Sequence, residues 1–111
     1  MTEKMKIIDF LRENQLDAIF VQKDENCRYL SKFTGSDSYL LLTKEELYLL
    51  TDSRYTEQAR KEATDYTVVD YKGHLVEIVA KLAGEYHIKT MGVETVFSYQ
   101  MYLSFHKYML N

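Results

Sequence analysis

Proline is absent from this chain, and its glycines number only four, at positions 35, 73, 84 and 92. The pattern therefore holds no disordered linker, no low-complexity segment and no internal repeat. The glycines form neither Gly-x-Gly-x-x-Gly nor a Walker-type loop, which argues against a nucleotide site built on a glycine-rich phosphate cradle. Cys27 is the single cysteine, so an intramolecular disulfide is excluded and nothing marks the chain for export. Arg28 beside it is placed to activate the thiol, but within "NCRYL" the simpler reading is a small core residue. Long apolar runs are missing too: "MTEKMKIIDFLREN" is broken by charges, so it is neither a signal peptide nor a membrane span. The basic residues are scattered and the net charge is −3. Counterion release, the main source of nucleic-acid affinity, has little to act on. These absences lead to the expectation of a cytoplasmic protein with neither nucleic acid nor membrane as partner.

What is present fits one globular domain. The 111 residues, 46% of them hydrophobic, suffice for a core without a disulfide or metal staple. Residues 3–13 read as a helix with Met5, Ile8 and Leu11 on one face, Thr2 as cap and Asn14 as the left-handed exit. "DAIFV" is a short buried strand, "NCRYLSKF" is open between a helical turn and irregular structure, and "TGSDS" is loop chemistry. "YLLL" and "LYLL" joined by "TKEE" predict a hairpin whose arms are apolar throughout, as strands covered on both faces must be. Asp52 or Ser53 then caps a helix to about Ala63, with Tyr55, Ala59 and Ala63 one turn apart. "YTVVDY" is a strand, and 74–84 is a helix with Leu75, Ile78, Val79 and Leu82 at i, i+3, i+4 and i+7. "TMGVE" is a last strand, and from Ser98 a helix with Tyr102, Phe105 and Met109 on one face runs into the terminus uncapped. That ending suggests a piece of a longer protein. Strands alternating with helices after a hairpin predict a three-layer α/β/α domain with a mixed sheet.

Candidate chemistry is sparse. Asp52, Asp70 and Glu94 fall at strand ends and would hold divalent ions for phosphodiester cleavage if they converged. The plainer reading makes Asp52 a cap and Asp70 a strand end. His74 and Glu77 have a zinc-compatible spacing but no third ligand, His87 sits in a polar loop, and His106 lies on or beside an apolar face. No serine occupies a nucleophile elbow. The ten tyrosines stand out more. Tyr29, Tyr39, Tyr55 and Tyr71, with Phe33, cluster near loops and strand ends, and tyrosine and arginine are enriched at interface centres. Half-buried tyrosines with wet hydroxyls are the alternative.

Several ordered stretches together resemble the N-terminal domain of the Xaa-Pro aminopeptidase, prolidase and creatinase family. They are Leu16-Asp17-Ala18, Asn26-Cys27-Arg28-Tyr29-Leu30, Phe33-Thr34-Gly35-Ser36 and Thr51-Asp52-Ser53-Arg54-Tyr55-Thr56-Glu57-Gln58-Ala59, followed by "YTVVDY" and "MGVE". The resemblance covers 1–111 and implies a three-layer mixed-sheet domain with a ribonuclease-H-like motif. It also implies a parent metallopeptidase, an Xaa-Pro dipeptidase or aminopeptidase. The parent's C-terminal pita-bread domain, absent from this chain, would bind two divalent metals, typically manganese, through two Asp, a His and two Glu. On this reading the chain is non-catalytic and holds no cofactor. It would serve oligomer assembly and access of a proline-containing peptide, with its own catalytic domain and a second subunit as partners. By position, Phe33, Thr34, Gly35 and Ser36 with Asp52, Arg54 and Tyr55 become the substrate-rim or interface candidates. Arg54 would offer a fork to a carboxylate. The family's usual glycines are replaced by Gln15 before Leu16 and by Ser53 before Arg54. The alternative is a stand-alone interaction or small-ligand module.

Overall fold

A computed structural model describes residues 3–94 and Leu103. Within residues 3–94, four helices and five strands follow in the order α1 (Glu3–Glu13), β1 (Ala18–Val21), α2 (Asp24–Ser31), β2 (Tyr39–Thr43), β3 (Leu47–Thr51), α3 (Thr56–Glu62), β4 (Thr67–Asp70), α4 (Leu75–Glu85) and β5 (Met91–Val93). The strands form one sheet in the order β4-β3-β2-β1-β5. The pairs β1–β2 and β2–β3 are antiparallel, while β3–β4 and β1–β5 are parallel. All strands except β2 therefore run the same way and end on one edge of the sheet, which makes this the predicted mixed α/β/α domain.

The hairpin sets the layering. Side chains alternate across a strand, and here both sides are apolar. Val21, Leu40, Leu42, Leu47 and Leu49 enter one core with Ile7, Leu11, Cys27, Phe33, Ala59 and Ala63. Ala18, Phe20, Leu41, Tyr48 and Leu50 enter the other with Val79 and the flanking Leu75, Ile78 and Leu82. Among the described helices α1, α2 and α3 thus cover one face and α4 the other. The turn is fixed by Thr43, whose backbone N–H and hydroxyl both donate to the Glu46 carbonyl (3.0 and 2.7 Å) while its Oγ1 accepts from the Glu46 N–H at 2.8 Å.

One open local reading is settled and two expectations are corrected. "NCRYLSKF" is mostly helix: α2 buries Cys27 and Ser31, four residues apart, and Lys32 ends it in the left-handed region at φ 70°. Both buried residues are small, so no apolar stripe announced the helix. The buried seam of α1 is Ile7 and Leu11, while Met5 is 52% exposed; the packed face is rotated from the one expected. The left-handed exit of α1 is Gln15, at φ 56°, and not Asn14, whose side chain donates to the Phe10 carbonyl at 2.8 Å. The Leu16 N–H donates back to Leu11 O at 2.9 Å, as a Schellman closure requires. Thr2 and His106 lie outside the described residues, as does all of the helix expected from Ser98 except Leu103, which is helical. No helix among the described residues is long and apolar enough to cross a membrane.

Gln15 keeps a β-carbon in a conformation that favours glycine. Gln15→Gly is expected to raise stability by about 0.5–1 kcal/mol, read as a higher urea midpoint at unchanged m-value.

Candidate functional site

Because β2 runs against its neighbours, the loop entering it and the turn leaving β3 meet at one corner of the sheet. The register pairs Tyr39 with Leu50, so residues 33–37 lie beside 52–55. Phe33 anchors the loop. Its ring is 1% exposed and meets Tyr55 edge-on, with centroids 6.4 Å apart. Gly35 lies directly on that ring: a β-carbon there would come within 2.3 Å of Phe33 Cζ. Thr34 is bonded to α3, its backbone N–H and hydroxyl donating to Glu62 Oε1 at 2.8 and 2.9 Å. Ser36 and Asp37 are exposed.

Asp52 does not cap α3. Tyr55 occupies the N-cap position of that seven-residue helix, and no side chain bonds there. The Asp52 carboxylate instead accepts from the Arg54 backbone N–H (2.9 Å), from Nε (3.1 Å) and from Nη2 (2.7 Å). Those hydrogen bonds from Arg54 hold the Asp52 carboxyl below its ordinary value, and Asp52 in turn raises the guanidinium. The fork expected for an outside carboxylate is thus filled from within. What remains is the outer edge of a guanidinium whose side chain is 69% exposed, with Nη2 3.7 Å from Asp37 and Cζ 5.2 Å from the Tyr55 ring centroid. All seven rim candidates fall in this corner or in the loop above it.

The aromatic cluster of the sequence divides between the two faces of the sheet. Phe33 and Tyr55 belong to the α1–α3 side. Tyr39 stacks on Phe20 (5.9 Å) and meets Tyr71 edge-on (6.0 Å) on the α4 side. Tyr29 is 73% exposed under the Lys32 ammonium. Burial, then nearby Asp37, pushes the Tyr39 phenol up.

The acidic trio does not converge. Asp70 accepts from the Lys72 N–H at 2.9 Å, and Asp52 is engaged by Arg54. Glu94 follows β5, three strands beyond β3, about 14 Å away at ~4.8 Å per strand. There it accepts from Gln22 N–H, Lys23 N–H and Asn26 Nδ2 (2.6, 2.9 and 2.5 Å), and so fastens the start of α2. Among the described residues no group of three His, Cys, Asp or Glu side chains could hold a metal. His74 Nδ1 lies 3.6 Å from Glu77 Oε1 on the surface. The reactive reading of Cys27 also falls: burial, then the Glu94 and Asp24 charges, push its thiol up to about 12.

Glu62 and Asp37 were missed from the sequence. Glu62 reads as one more charge on a helix surface, and nothing local ties it to Thr34, 28 residues earlier. Asp37 sits at φ 56° inside "TGSDS", where only the loop composition hinted at such a conformation.

Residues 5–109 match the model of the Creatinase/Prolidase N-terminal domain. The Xaa-Pro dipeptidase of Pyrococcus horikoshii is 33% identical over 101 residues, 89% of this chain and 27% of that protein. Among solved structures, the Xaa-Pro dipeptidase from Bacillus anthracis superposes with a TM-score of 0.85 at 31% identity, over 96% of this chain and 32% of that one. The N-terminal domain of the cytoplasmic peptidase PepQ from Mycobacterium tuberculosis gives 0.83 at 29% identity, over 95% of this chain and 82% of that one. The chain spans 22–30% of the length of the curated relatives it matches.

Two outcomes test the corner. Gly35→Ala is expected to cost about 1–3 kcal/mol, since the new methyl group must displace a buried ring; calorimetry on the purified variant measures it. The second concerns acid. The bonds from Thr34 hold the Glu62 carboxyl below its ordinary 4.5, as Arg54 holds Asp52 below 3.8. Both folded values lie below the unfolded ones, so the unfolded chain binds more protons and stability falls as pH drops from about 4.5. Glu62→Gln and Asp52→Asn should each lose less of their urea midpoint than the parent chain between about pH 5 and pH 3.

Proposed function

We propose a function from one premise: the chain belongs to the creatinase/prolidase N-terminal domain family. It acts as the non-catalytic N-terminal domain of a metal-dependent Xaa-Pro dipeptidase or aminopeptidase, supporting oligomer assembly and governing access of a proline-containing peptide. The catalytic domain would supply two divalent ions, manganese by the family resemblance, and none of the residues described here is assigned to them. The setting is a cytoplasmic enzyme assembled at least as a dimer.

One observation carries this reading. The exposed guanidinium edge of Arg54 is held rigidly by the Asp52 carboxylate at 2.7 Å, on an apolar footing of Tyr55 and Phe33. An oriented cation costs little further ordering when it meets a partner carboxylate or a peptide carbonyl. Phe33, Thr34, Gly35 and Ser36 place the neighbouring loop at the same corner, so loop and arginine present one surface to another domain or subunit. Relatives named as Xaa-Pro dipeptidases extend well beyond the length of this chain, which is consistent with chemistry performed elsewhere in the parent.

A second reading, a small-ligand module, is favoured by one feature. An open apolar recess of about 320 Å³ lies between α1 and α2, lined by Ile7, Phe10, Ile19, Val21, Leu30 and Leu42 with Lys6 at its side. That is near the lower limit of ligand-pocket volumes.

The purified chain with manganese is expected to leave Xaa-Pro peptides intact, and turnover above background would refute the accessory role. Titration with Xaa-Pro dipeptides followed by NMR should give at most weak shifts around Arg54. Saturable shifts at Phe10, Ile19 and Leu30 would favour the ligand module instead.

A further inference from the structure

We propose that Glu62 is the positioning residue of the rim, a carboxylate clasp that holds the loop at 33–37 in register with the Arg54 corner. Glu62 is the last residue of α3, and its two oxygens are divided between loop and helix. Oε1 accepts both the backbone N–H and the hydroxyl of Thr34 at 2.8 and 2.9 Å. Oε2 accepts from Gln58 Nε2 at 3.1 Å, and the same amide nitrogen reaches Thr34 Oγ1 at 3.3 Å. The result is a closed ring of hydrogen bonds between one turn of α3 and a single loop residue.

The loop has few other attachments. Lys32 ends α2 with a left-handed backbone, the Phe33 N–H donates to Ser31 Oγ at 3.1 Å, and the Phe33 ring sits in the core. Beyond Thr34, the backbone N–H groups of Gly35, Ser36 and Asp37 find no partner among the described residues. Three points therefore hold the loop: the Phe33 ring at its root, the Glu62 carboxylate at Thr34, and the buried Ser38, whose carbonyl accepts from Cys27 Sγ at 3.5 Å where the chain enters β2. Asp37, four residues past the root, reaches Arg54 Nη2 only at 3.7 Å, and an exposed pair at that distance is too weak to hold the loop by itself. Hydrogen bonds to an ionised carboxylate are the stronger kind. The depression of the Glu62 carboxyl by the Thr34 bonds agrees with this. With the clasp open, the segment between Phe33 and Ser38 would loosen and Arg54 would lose its second carboxylate. The bearing of this on substrate access rests on the accessory reading above, whereas the clasp itself is a property of this chain.

Amide hydrogen exchange by NMR on the chain, as wild type and as Glu62→Ala, tests it. The Thr34 amide should exchange at least about tenfold faster in the variant. The Ala59 and Ala63 amides of the α3 ladder should keep their protection. Glu62→Gln, which retains a neutral acceptor oxygen, should fall between the two. Unchanged exchange at Thr34, or a loop and an α3 that loosen together, would overturn the clasp. Should Glu62→Ala fail to fold, Thr34→Val removes the hydroxyl arm alone and is expected to speed exchange of the residue-34 amide several-fold; no change would again overturn it. In a full-length peptidase carrying this domain, Glu62→Ala should raise KM with kcat held. If KM stays constant although the isolated loop is released, access is refuted and the clasp stands.

Discussion

Everything in this domain depends on a hairpin buried on both faces. Leu40, Leu41, Leu42, Leu47, Leu49 and Leu50 are each at most 2% exposed. Burying each contributes about 1.5–3 kcal/mol, so the six together match the net stability of a whole domain, about 5–15 kcal/mol. Such strands cannot lie at a sheet edge or face water, which forces β1 and β4 to flank them and helices to cover both sides. A slip of one residue would exchange the two cores, and the short turn held by Thr43 and Glu46 prevents it.

The corner that carries Arg54 is a by-product of that constraint. With β2 antiparallel to β3, the chain enters one strand and leaves the other at the same edge, bringing Phe33, Thr34, Gly35 and Ser36 beside Asp52, Arg54 and Tyr55. Packing then outweighs charge in holding it together. The buried Phe33 ring contributes about 1.5–3 kcal/mol, while an exposed pair such as Arg54–Asp37 contributes about 0–1 kcal/mol. The role of charge is orientation: Asp52 fixes the guanidinium plane, and Glu62 fixes the loop.

Sequence periodicity placed the buried face correctly in most elements, α1 being the exception, with Ile7 rather than Met5 turned inward. The hairpin arms, the Ala59–Ala63 stripe of α3 and the Leu75, Ile78, Val79 and Leu82 face of α4 all read correctly, because period 2 and period 3.6 are properties of a short window. The ordered motifs from Leu16 to Ala59 were also enough to reveal the family resemblance. Reading failed where the partner was distant or the signal small. The helix α2 buries only Cys27 and Ser31, so it has no apolar stripe. Asp52 looked like a cap because helix starts favour aspartate, yet Arg54 two residues on offers three donors and takes it.

By itself, then, the sequence determined the layered α/β/α class, the hairpin and the family resemblance. Only the tertiary structure decided which groups meet. Strand order separates Glu94 from Asp52 and dissolves the imagined metal cluster, and the same order lays Glu62 against Thr34 across 28 residues of sequence. Local patterns record what each segment buries. Partners chosen across a sheet depend on how all the strands are ordered, and no short window of residues contains that.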